Sequence, residues 1–497
     1  MELLPDDVFA DDVLGRLPPG SLAAARCVRK HWRSIIDGRR LLHERADLLL
    51  PLRLDGIFCN SRLIDDQHSP YPYFFTRPPT AHQIAGHLDM CFPFLDDEDD
   101  YGFLDRQILD HCNGLLLLGW DMAVVNPATR QWAPLPPFPK PSLSLQLSSS
   151  TTITMEGYDL VACFYLVYDP IAVSQHHFEV FLIPDLTLGN KCKFPGQSEW
   201  PPSPYTTHVF SSTTWKWEQR SFVRRGDPTG TIADTTRSPD RDDHHGVYSR
   251  GALYIHCQHD SVMRYFFISI CGTMHAISND EPPFMYYRIT LSSDNKYQMI
   301  AAPSSTRSKL VGYDISYLGK SEKGVYFSLF YDDDAGWPHF RVWLLNDRQM
   351  EWVLSYDIGL KAMFGFGKFT TSDFDNDYNK PWILADCCDR PATPPPALYE
   401  IIESGKDEWD FIGGGVILET KYDNAKIHGP SRIVFLGFHP YKEVAVFWLN
   451  TKVICYQLNT STVQELGNLQ LPFSMETSSF LYTPCWMQIK GLISGHD

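Results

Sequence analysis

The chain has 497 residues, which is more than one hydrophobic core usually supports, so two or more folding units are expected. Its formal net charge of −17 repels phosphate backbones and disfavours a general nucleic-acid-binding role. The sequence contains no apolar run of the ~20 residues that a membrane-spanning helix needs, and no signal peptide opens it. We therefore expect a cytosolic or nuclear protein without a membrane partner. Aromatic residues make up 13% of the chain, and such side chains favour β-sheet.

Residues 4–45 have the periodicity of short helices. Pro5 suits a first turn, because its missing N–H is not needed there, and apolar residues recur at helical spacing up to Leu17. A Pro-Pro-Gly sequence then ends this helix, and two more helices follow, the last of which carries Trp32. Helices this short bury little apolar surface alone. The segment is therefore expected either to bind a partner or to pack on the rest of the chain.

The same segment resembles the F-box family. The resemblance lies in the opening Leu4-Pro5, in a first helix that ends with Leu17-Pro18, and in the Val-x-Lys-x-Trp-Arg motif that starts at Val28. It implies a three-helix F-box over residues 1–46 that binds the adaptor protein of an SCF-type ubiquitin ligase and, through that adaptor, a cullin scaffold. By the family pattern, the adaptor-binding residues are Leu4, Pro5, Val8, Val13, Leu17, Pro18 and Leu22. The F-box core would consist of Val28, Trp32, Ile35 and Ile36.

Beyond residue 105, one hairpin pattern recurs. Two apolar residues lead into a turn residue, a Thr or another polar residue follows, and a Trp comes six positions after the turn residue. The clearest copies run from Asn126 to Trp132, Ser211 to Trp217, Asn346 to Trp352 and Glu403 to Trp409, with weaker ones from Asn459 to Glu465 and around Ile289 to Gln298. The last three copies before the C-terminus lie roughly 55 residues apart, near the ~50 of a kelch-type blade. The sequence therefore predicts a mainly β protein, with a β-propeller-like domain of about six to eight blades over residues 105–490.

Short apolar segments between these hairpins predict further strands. They are Leu115 to Leu118, Phe178 to Ile183, Ala252 to Cys257, Tyr265 to Ile270, Val325 to Phe330, Arg432 to Gly437 and Glu443 to Leu449. Pro- and Ser-rich stretches at 138–152 and 201–204 predict loops. Residues 47–104 predict a linker and irregular region. A final strand over 478–484 is expected to close the propeller by pairing near residues 114–120.

The region after residue 105 also resembles the F-box-associated domain that follows many plant F-boxes. The similar segments are His111 to Leu115, Asn126 to Thr129, Phe178 to Pro184, Tyr248 to Tyr254 and Gly437 to Pro440. The resemblance implies a kelch-like, target-binding domain of a substrate receptor, without specifying the target. Asn113-Gly114 and Arg250-Gly251 predict turns rather than a binding site.

Motifs of catalysis and of metal binding are missing from the sequence. It has no G-x-S-x-G or H-E-x-x-H motif and no Gly-rich phosphate loop that continues into Lys-Ser or Lys-Thr. The best metal candidate combines His256, Cys257 and His259 with the upstream pair His244-His245. Neighbouring strand residues point to opposite faces, and the spacing offers no fourth ligand. We therefore expect no metal, no cofactor and no catalytic residue.

These observations predict a substrate-receptor subunit of an SCF-type ubiquitin ligase, which recruits a protein target and is not itself an enzyme. One alternative is a β-propeller scaffold outside any ligase, with the helical segment packed inside. A second is a propeller-fold enzyme. A bound metal or a buried carboxylate cluster in the central channel would favour this second alternative.

Overall fold

A computed structural model describes 6, 9–14, 17, 25, 29–39, 41, 54–61, 71–76, 107–119, 122–129, 131–148, 151–156, 160–170, 177–186, 199–227, 231, 246–257, 285–290, 295–301, 303, 315–332, 337–363, 382–386, 416–417, 433–471, 478–485, 489 and 492–494. Its N-terminal part holds a π-helical turn, Phe9–Val13, and one α-helix, α1, Lys30–Gly38. A 3-10 turn lies at Leu360–Ala362. Among these residues, no helix is long and apolar enough to cross a bilayer.

In the described part of the chain, the remaining regular structure consists of 28 strands. In chain order they are β1 Gly56–Ser61, β2 Tyr71–Thr76, β3 Ile108–Cys112, β4 Leu115–Leu118, β5 Ala123–Asn126, β6 Gln131–Pro134, β7 Ser142–Ser148, β8 Thr151–Glu156, β9 Leu160–Tyr168, β10 Phe178–Leu186, β11 Tyr205–Ser211, β12 Lys216–Arg225, β13 Gly246–Ser249, β14 Ala252–Cys257, β15 Met285–Thr290, β16 Lys296–Ala301, β17 Ile315–Ser321, β18 Gly324–Asp332, β19 Pro338–Asn346, β20 Glu351–Gly359, β21 Ile383–Asp386, β22 Val416–Ile417, β23 Ile433–Phe438, β24 Val444–Leu449, β25 Lys452–Gln457, β26 Thr462–Asn468, β27 Ser479–Tyr482 and β28 Ile493–Ser494.

Among the described residues, five sheets of four or more strands give a mainly β, propeller-like arrangement, and this coarse prediction is confirmed. The largest sheet has eight strands and joins two antiparallel meanders, β9–β12 and β13–β16, through a parallel pairing of β12 with β16. The described residues thus form five large sheets, where six to eight blades were expected. For description, we divide the eight-stranded sheet into its two meanders, which gives six four-stranded units among the described residues. We number the units as follows: β3–β6 first, β9–β12 second, β13–β16 third, β17–β20 fourth, β23–β26 fifth, and β27 with β1, β2 and β21 sixth.

The hydrophobic core supports this division into six units. The buried residues fall into six clusters, and each contains side chains from two neighbouring units. The strands β3, β9, β13, β17, β23 and β27 contact one another in that order and form an inner ring. The ring closes where the His111 and Phe480 rings lie 5.4 Å apart. The Asn60 side chain adds two hydrogen bonds to the Ile108 backbone, of 2.8 and 3.1 Å.

The C-terminal closing strand exists, but its predicted partner was wrong. β27 pairs antiparallel with β1, with Ile57 opposite Leu481, and not with residues 114–120. Both β1 and β2 lie in the range expected to be a linker, so the β domain begins before residue 105. The segment after β27 does approach the first unit: an added Cβ at Gly114 would lie 2.5 Å from that of Cys485. Gly114 is also at φ +89, which favours glycine.

Most locally predicted strands are confirmed, whereas one predicted loop is wrong. Strands β4, β10, β14, β18, β23 and β24 cover the expected segments within a residue or a few, and the expected strand at 265–270 lies outside the described residues. Residues 201–204 form bends as expected. Residues 142–148, expected to be loop, form β7 and pair with β8. Ser and Leu alternate there, and this period of two outweighs the loop tendency of serine.

Candidate functional site

The predicted adaptor-binding residues fall on the N-terminal segment, of which the structure describes a part. Val13 is 38% exposed and ends the π-helical turn. Leu17 is half-buried, and its N–H donates to the Leu14 carbonyl at 3.1 Å, which continues the turn. The other five predicted contacts, Leu4, Pro5, Val8, Pro18 and Leu22, lie outside the described residues.

The predicted F-box core residues on α1 face inward. Ile35 and Ile36 are buried, and the half-buried Trp32 packs against Phe9 with ring centroids 5.2 Å apart. Val28 lies outside the described residues, as does most of the expected second helix, of which Ala25 is described as helical. The described part therefore holds one α-helix and one π-helical turn, and the three-helix arrangement stays a prediction.

The helical segment does pack on the β domain. Ala10, Leu14, Ile35 and Ile36 belong to the same hydrophobic cluster as buried residues of the first two units, such as Leu115. This is the second of the two possibilities left open by the sequence. This packing leaves Val13 exposed. The helical segment can therefore pack on the β domain and still present Val13 to a partner protein.

Polar side chains collect where the inner strands end, and we call this set the ring-end cluster. It consists of Cys112, Tyr168, Asp169, Tyr248, Lys320, Tyr441 and Cys485. The Tyr248 hydroxyl donates to Asp169 Oδ2 at 2.8 Å. The Tyr168 hydroxyl lies 3.8 Å from Cys485 Sγ, and Lys320 Nζ lies 5.6 Å from the centroid of the Tyr441 ring. Five units and the segment after β27 contribute to it, so the cluster forms only when the ring is closed.

Burial disfavours ionisation of three side chains of the ring-end cluster, those of Cys112, Tyr441 and Tyr248. Burial raises the pKa of the Cys112 thiol to about 12, although nearby Lys320 acts in the opposite direction. Burial likewise raises the pKa of Tyr441 to about 12, and burial with the neighbouring Asp169 raises that of Tyr248. A reactive cysteine needs a lowered pKa. The Cys112 thiol instead accepts a hydrogen bond from the Tyr168 N–H and donates one to its carbonyl, both at 3.4 Å.

Asp110 on β3 is a buried carboxyl group, of the kind that an enzyme in the channel would use. Its Oδ2 accepts a hydrogen bond from the Leu166 N–H at 2.7 Å, and burial raises its pKa to about 8. That bond joins the first unit to the second, so it gives Asp110 a structural role. Among the described residues, no group of three or more His, Cys, Asp or Glu side chains could hold a metal ion.

Glu443 forms a similar link between the fourth and fifth units. Its Oε2 accepts hydrogen bonds from the hydroxyls of Tyr326 at 2.5 Å and Tyr356 at 2.9 Å. Lys323 Nζ lies 3.3 Å from the same oxygen and compensates the buried charge. Asp110 and Glu443 were not singled out in the sequence, because a structural carboxylate carries no local motif.

The Trp residues of the repeated hairpin take part in packing between units. Trp132, Trp217 and Trp352 are half-buried, and Trp217 Nε1 donates to the Pro136 carbonyl of the neighbouring region at 3.0 Å. The Trp352 ring lies 5.8 Å from that of Phe327 in its own unit, and it packs against the hydrophobic cluster that the third and fourth units share. These contacts support a structural role for the repeat. Trp409 lies outside the described residues.

The last copy of the hairpin was aligned wrongly. The Ser461 N–H bonds to the Gln457 carbonyl at 2.9 Å. Equivalent bonds join Trp215 to Ser211 and Met350 to Asn346. Trp217 and Trp352 lie six residues after Ser211 and Asn346, whose carbonyls accept these bonds. The same spacing from Gln457 leads to residue 463, and not to Glu465, as the position that corresponds to the Trp.

Comparisons with known proteins do not name a family. No protein-family model matches this sequence, and no curated protein matches it. Among solved structures, a Bacteroides fragilis protein assigned as a 6-phosphogluconolactonase is similar with a TM-score of 0.28 and 7% identity, over 86% of this chain and 98% of that chain. The WD40 domain of SCAP from fission yeast is similar with a TM-score of 0.16 and 9% identity, over 51% of this chain and 76% of that chain. TM-scores this low do not establish a shared fold or function with either protein.

Proposed function

We propose that this chain is the substrate receptor of an SCF-type ubiquitin ligase. The observation that carries the proposal is the sequence of residues 4–36, which follows the F-box pattern from its Leu-Pro start to its Trp-Arg end. In this proposal the N-terminal segment binds the adaptor protein, and through it the cullin scaffold, while the β domain binds a target protein. The protein would act in the cytosol, the nucleus or both.

The exposure of the N-terminal segment supports the proposal. Ala10 and Leu14 turn inward and are buried, whereas Val13, in the same turn, is 38% exposed. Val13 is one of the adaptor-binding positions of the family pattern, and its aliphatic side chain is available for a partner to cover.

A receptor of this kind works by proximity and needs no catalytic residue of its own. If the target is held next to the ubiquitin-charged enzyme, its effective concentration there rises and transfer becomes faster.

The experiment that tests the proposal is adaptor binding by the full-length chain. We expect Val13→Asp to weaken binding at least ~100-fold, because the interface would bury an unpaired carboxylate. Val353→Asp is the matched control: the same change is made at a 51% exposed valine on β20, and adaptor affinity should not change. Both positions are exposed, so circular dichroism should show unaltered thermal unfolding.

Two results would contradict the proposal. One is a folded full-length chain that does not bind the adaptor. The other is a Val13→Asp variant that binds as tightly as the unmodified chain. A reconstituted ligase supplies the functional readout, because ubiquitination of any captured target should fall with adaptor affinity.

A further inference from the structure

The outermost strands of the units differ in what lies beside them. In the first unit β6 pairs with β28, and in the fifth unit β26 pairs with β22. The outer strands of the second and third units pair with each other. In the fourth unit β20 ends the sheet, and no described strand pairs with its outer edge.

This open edge is long and apolar at its centre. β20 has nine residues, and Val353 and Leu354 are each 51% exposed. Successive strand residues face opposite sides, so the two aliphatic side chains lie on either side of the edge. Their neighbours Trp352 and Tyr356 pack inward against the third and fifth units and fix the strand in place.

The same chain protects another open edge by the usual means. Residues 216–222 of β12 also lack a described partner on their outer side, and this stretch carries Lys216, Glu218 and Arg220. Charged side chains on an edge strand discourage pairing with other chains. β20 has no charge between Glu351 and Asp357. β21 also ends its sheet, in the sixth unit, but it has four residues against nine in β20 and carries Asp386. Of these two edges, β20 therefore offers the longer one, without a charge at its centre.

We propose that the outer edge of β20 binds an extended segment of a partner protein by strand addition, and that this segment is aliphatic at its centre and basic at its flanks. Backbone hydrogen bonds to β20 would supply affinity, and contacts with Val353 and Leu354 would select aliphatic side chains. The exposed Glu351 stands at one end of the edge, and the chain carries a net charge of −17, so Lys and Arg flanks are favoured over acidic ones.

A second copy of this chain fits the edge less well. Antiparallel pairing of two β20 strands around Val353 and Leu354 would bring Glu351 of each copy close to Asp357 of the other. Asp357 already bonds to Arg341 Nε at 2.9 Å, so its guanidinium partner is engaged. Two bodies of net charge −17 also repel each other.

The proposal goes beyond the ligase function and stands without it. It identifies where the β domain would bind an extended segment of a partner, whether or not that partner is then ubiquitinated. The two proposals are separable, because Val13 is on the N-terminal segment and Val353 is on the fourth unit.

The test measures peptide binding to the full-length chain by fluorescence anisotropy. The probe is a labelled decapeptide, Lys-Lys-Thr-Val-Thr-Val-Thr-Val-Lys-Lys. One comparison peptide has Glu in place of every Lys. Another has Pro in place of the fifth residue, Thr, and the sixth residue, Val, and this change removes two backbone N–H donors. We expect the Lys-flanked peptide to bind at least ~10-fold more tightly than either comparison peptide, or ~1.4 kcal/mol. The double variant Val353→Lys and Leu354→Lys should lose binding to the same extent.

Matched controls make the result specific to β20. Val223→Lys places the same charge on a 54% exposed valine of β12 and should leave binding unchanged, as should Val13→Asp. Hydrogen exchange of residues 351–359 should slow when the Lys-flanked peptide is added. The proposal is overturned if the unmodified chain does not bind this peptide, if the Pro peptide binds equally well, or if the β20 double variant still binds. A dimer of the unmodified chain that the double variant abolishes would identify a second copy as the occupant and would also overturn it.

Discussion

At the scale of single residues, Asp110 couples the fold to pH. Burial raises its pKa from the ordinary 3.8 to about 8, so the folded state keeps a proton that the unfolded state has released. The free energy of unfolding should therefore fall as pH rises from about 4 to about 8. Asp110→Asn keeps an oxygen that can accept from the Leu166 N–H and removes the titration. We expect its stability to vary less across this window and to exceed that of the unmodified chain at pH 8, as measured by urea unfolding.

Asp347→Asn is the control for this prediction. Its carboxylate is 38% exposed and pairs with Arg250 at 2.9 Å, and loss of such a surface pair should change the free energy of unfolding by at most about 1 kcal/mol. Equal slopes for the unmodified chain and Asp110→Asn between pH 4 and pH 8 would show that Asp110 is ionised in the folded protein.

His439 should produce a pH dependence of the opposite sign. Burial lowers its pKa from 6.5 to about 3, with Lys442 as a smaller cause, and its Nδ1 accepts from the Tyr441 N–H at 3.1 Å. Below pH 6.5 the unfolded chain takes up a proton that the folded one does not. The stabilisation is thus complete above pH 6.5 and is lost as pH falls towards about 3. His439→Asn should be less stable at pH 7 but should lose less stability on acidification. Acid titration of both proteins by circular dichroism checks this, and parallel curves would refute it.

At the scale of elements, the repeated hairpins depend on one backbone conformation. Trp215, Met350 and Ser461 occupy the same turn position, with φ of 57, 56 and 57°. This left-handed region costs a non-glycine residue roughly 1–2 kcal/mol, and more for a β-branched one.

We predict that Ser461→Gly is more stable than Ser461→Val by about 1–2 kcal/mol. Both variants remove the same hydroxyl, so the difference isolates the backbone term. Chemical denaturation at pH 7 provides the measurement. Equal midpoints would mean that this turn rearranges without strain.

The elements that sequence could predict are the ones set by local chemistry. Asn113-Gly114 and Arg250-Gly251 were expected to be turns, and all four residues have positive φ. Strand partners are different, because pairing depends on residues far away in the chain. The β1–β27 pair was therefore missed, although β27 itself was predicted. The adaptor-binding residues came from family resemblance and stay a prediction.

At the scale of the whole molecule, the sixth unit takes strands from three separate parts of the chain. β1 lies between β2 and β27, so its removal leaves the closing strand without a partner. A protein that starts at residue 105 lacks β1 and β2, and we expect it to lose cooperative thermal unfolding. A protein that starts at residue 50 keeps both strands and should unfold cooperatively. If the shorter protein unfolds with the same sharp transition, closure through β1 is not needed for stability.

The ring-end cluster also belongs to the whole molecule, and this explains why no motif marked it. Cys112 and Tyr441 come from opposite ends of the β domain, and burial brings them into one electrostatic environment. The local sequence of residues 111–115 predicts a turn and the start of a strand. The other members of the cluster reach that turn only through the order of the units, which no local pattern specifies.

The late arrival of β27 has a consequence for the ribosome-bound chain. Asn60 and Ser478, which share a hydrogen bond in the finished protein, are 418 positions apart. At roughly 5–20 residues per second, the first strand emerges about 20–80 s before its partner is translated. Throughout that interval β1 lacks the partner of one of its two edges, and we expect chaperones to bind an edge exposed in this way. A permuted gene that encodes residues 478–494 ahead of residue 54 would supply the partner within seconds and should reduce that chaperone binding.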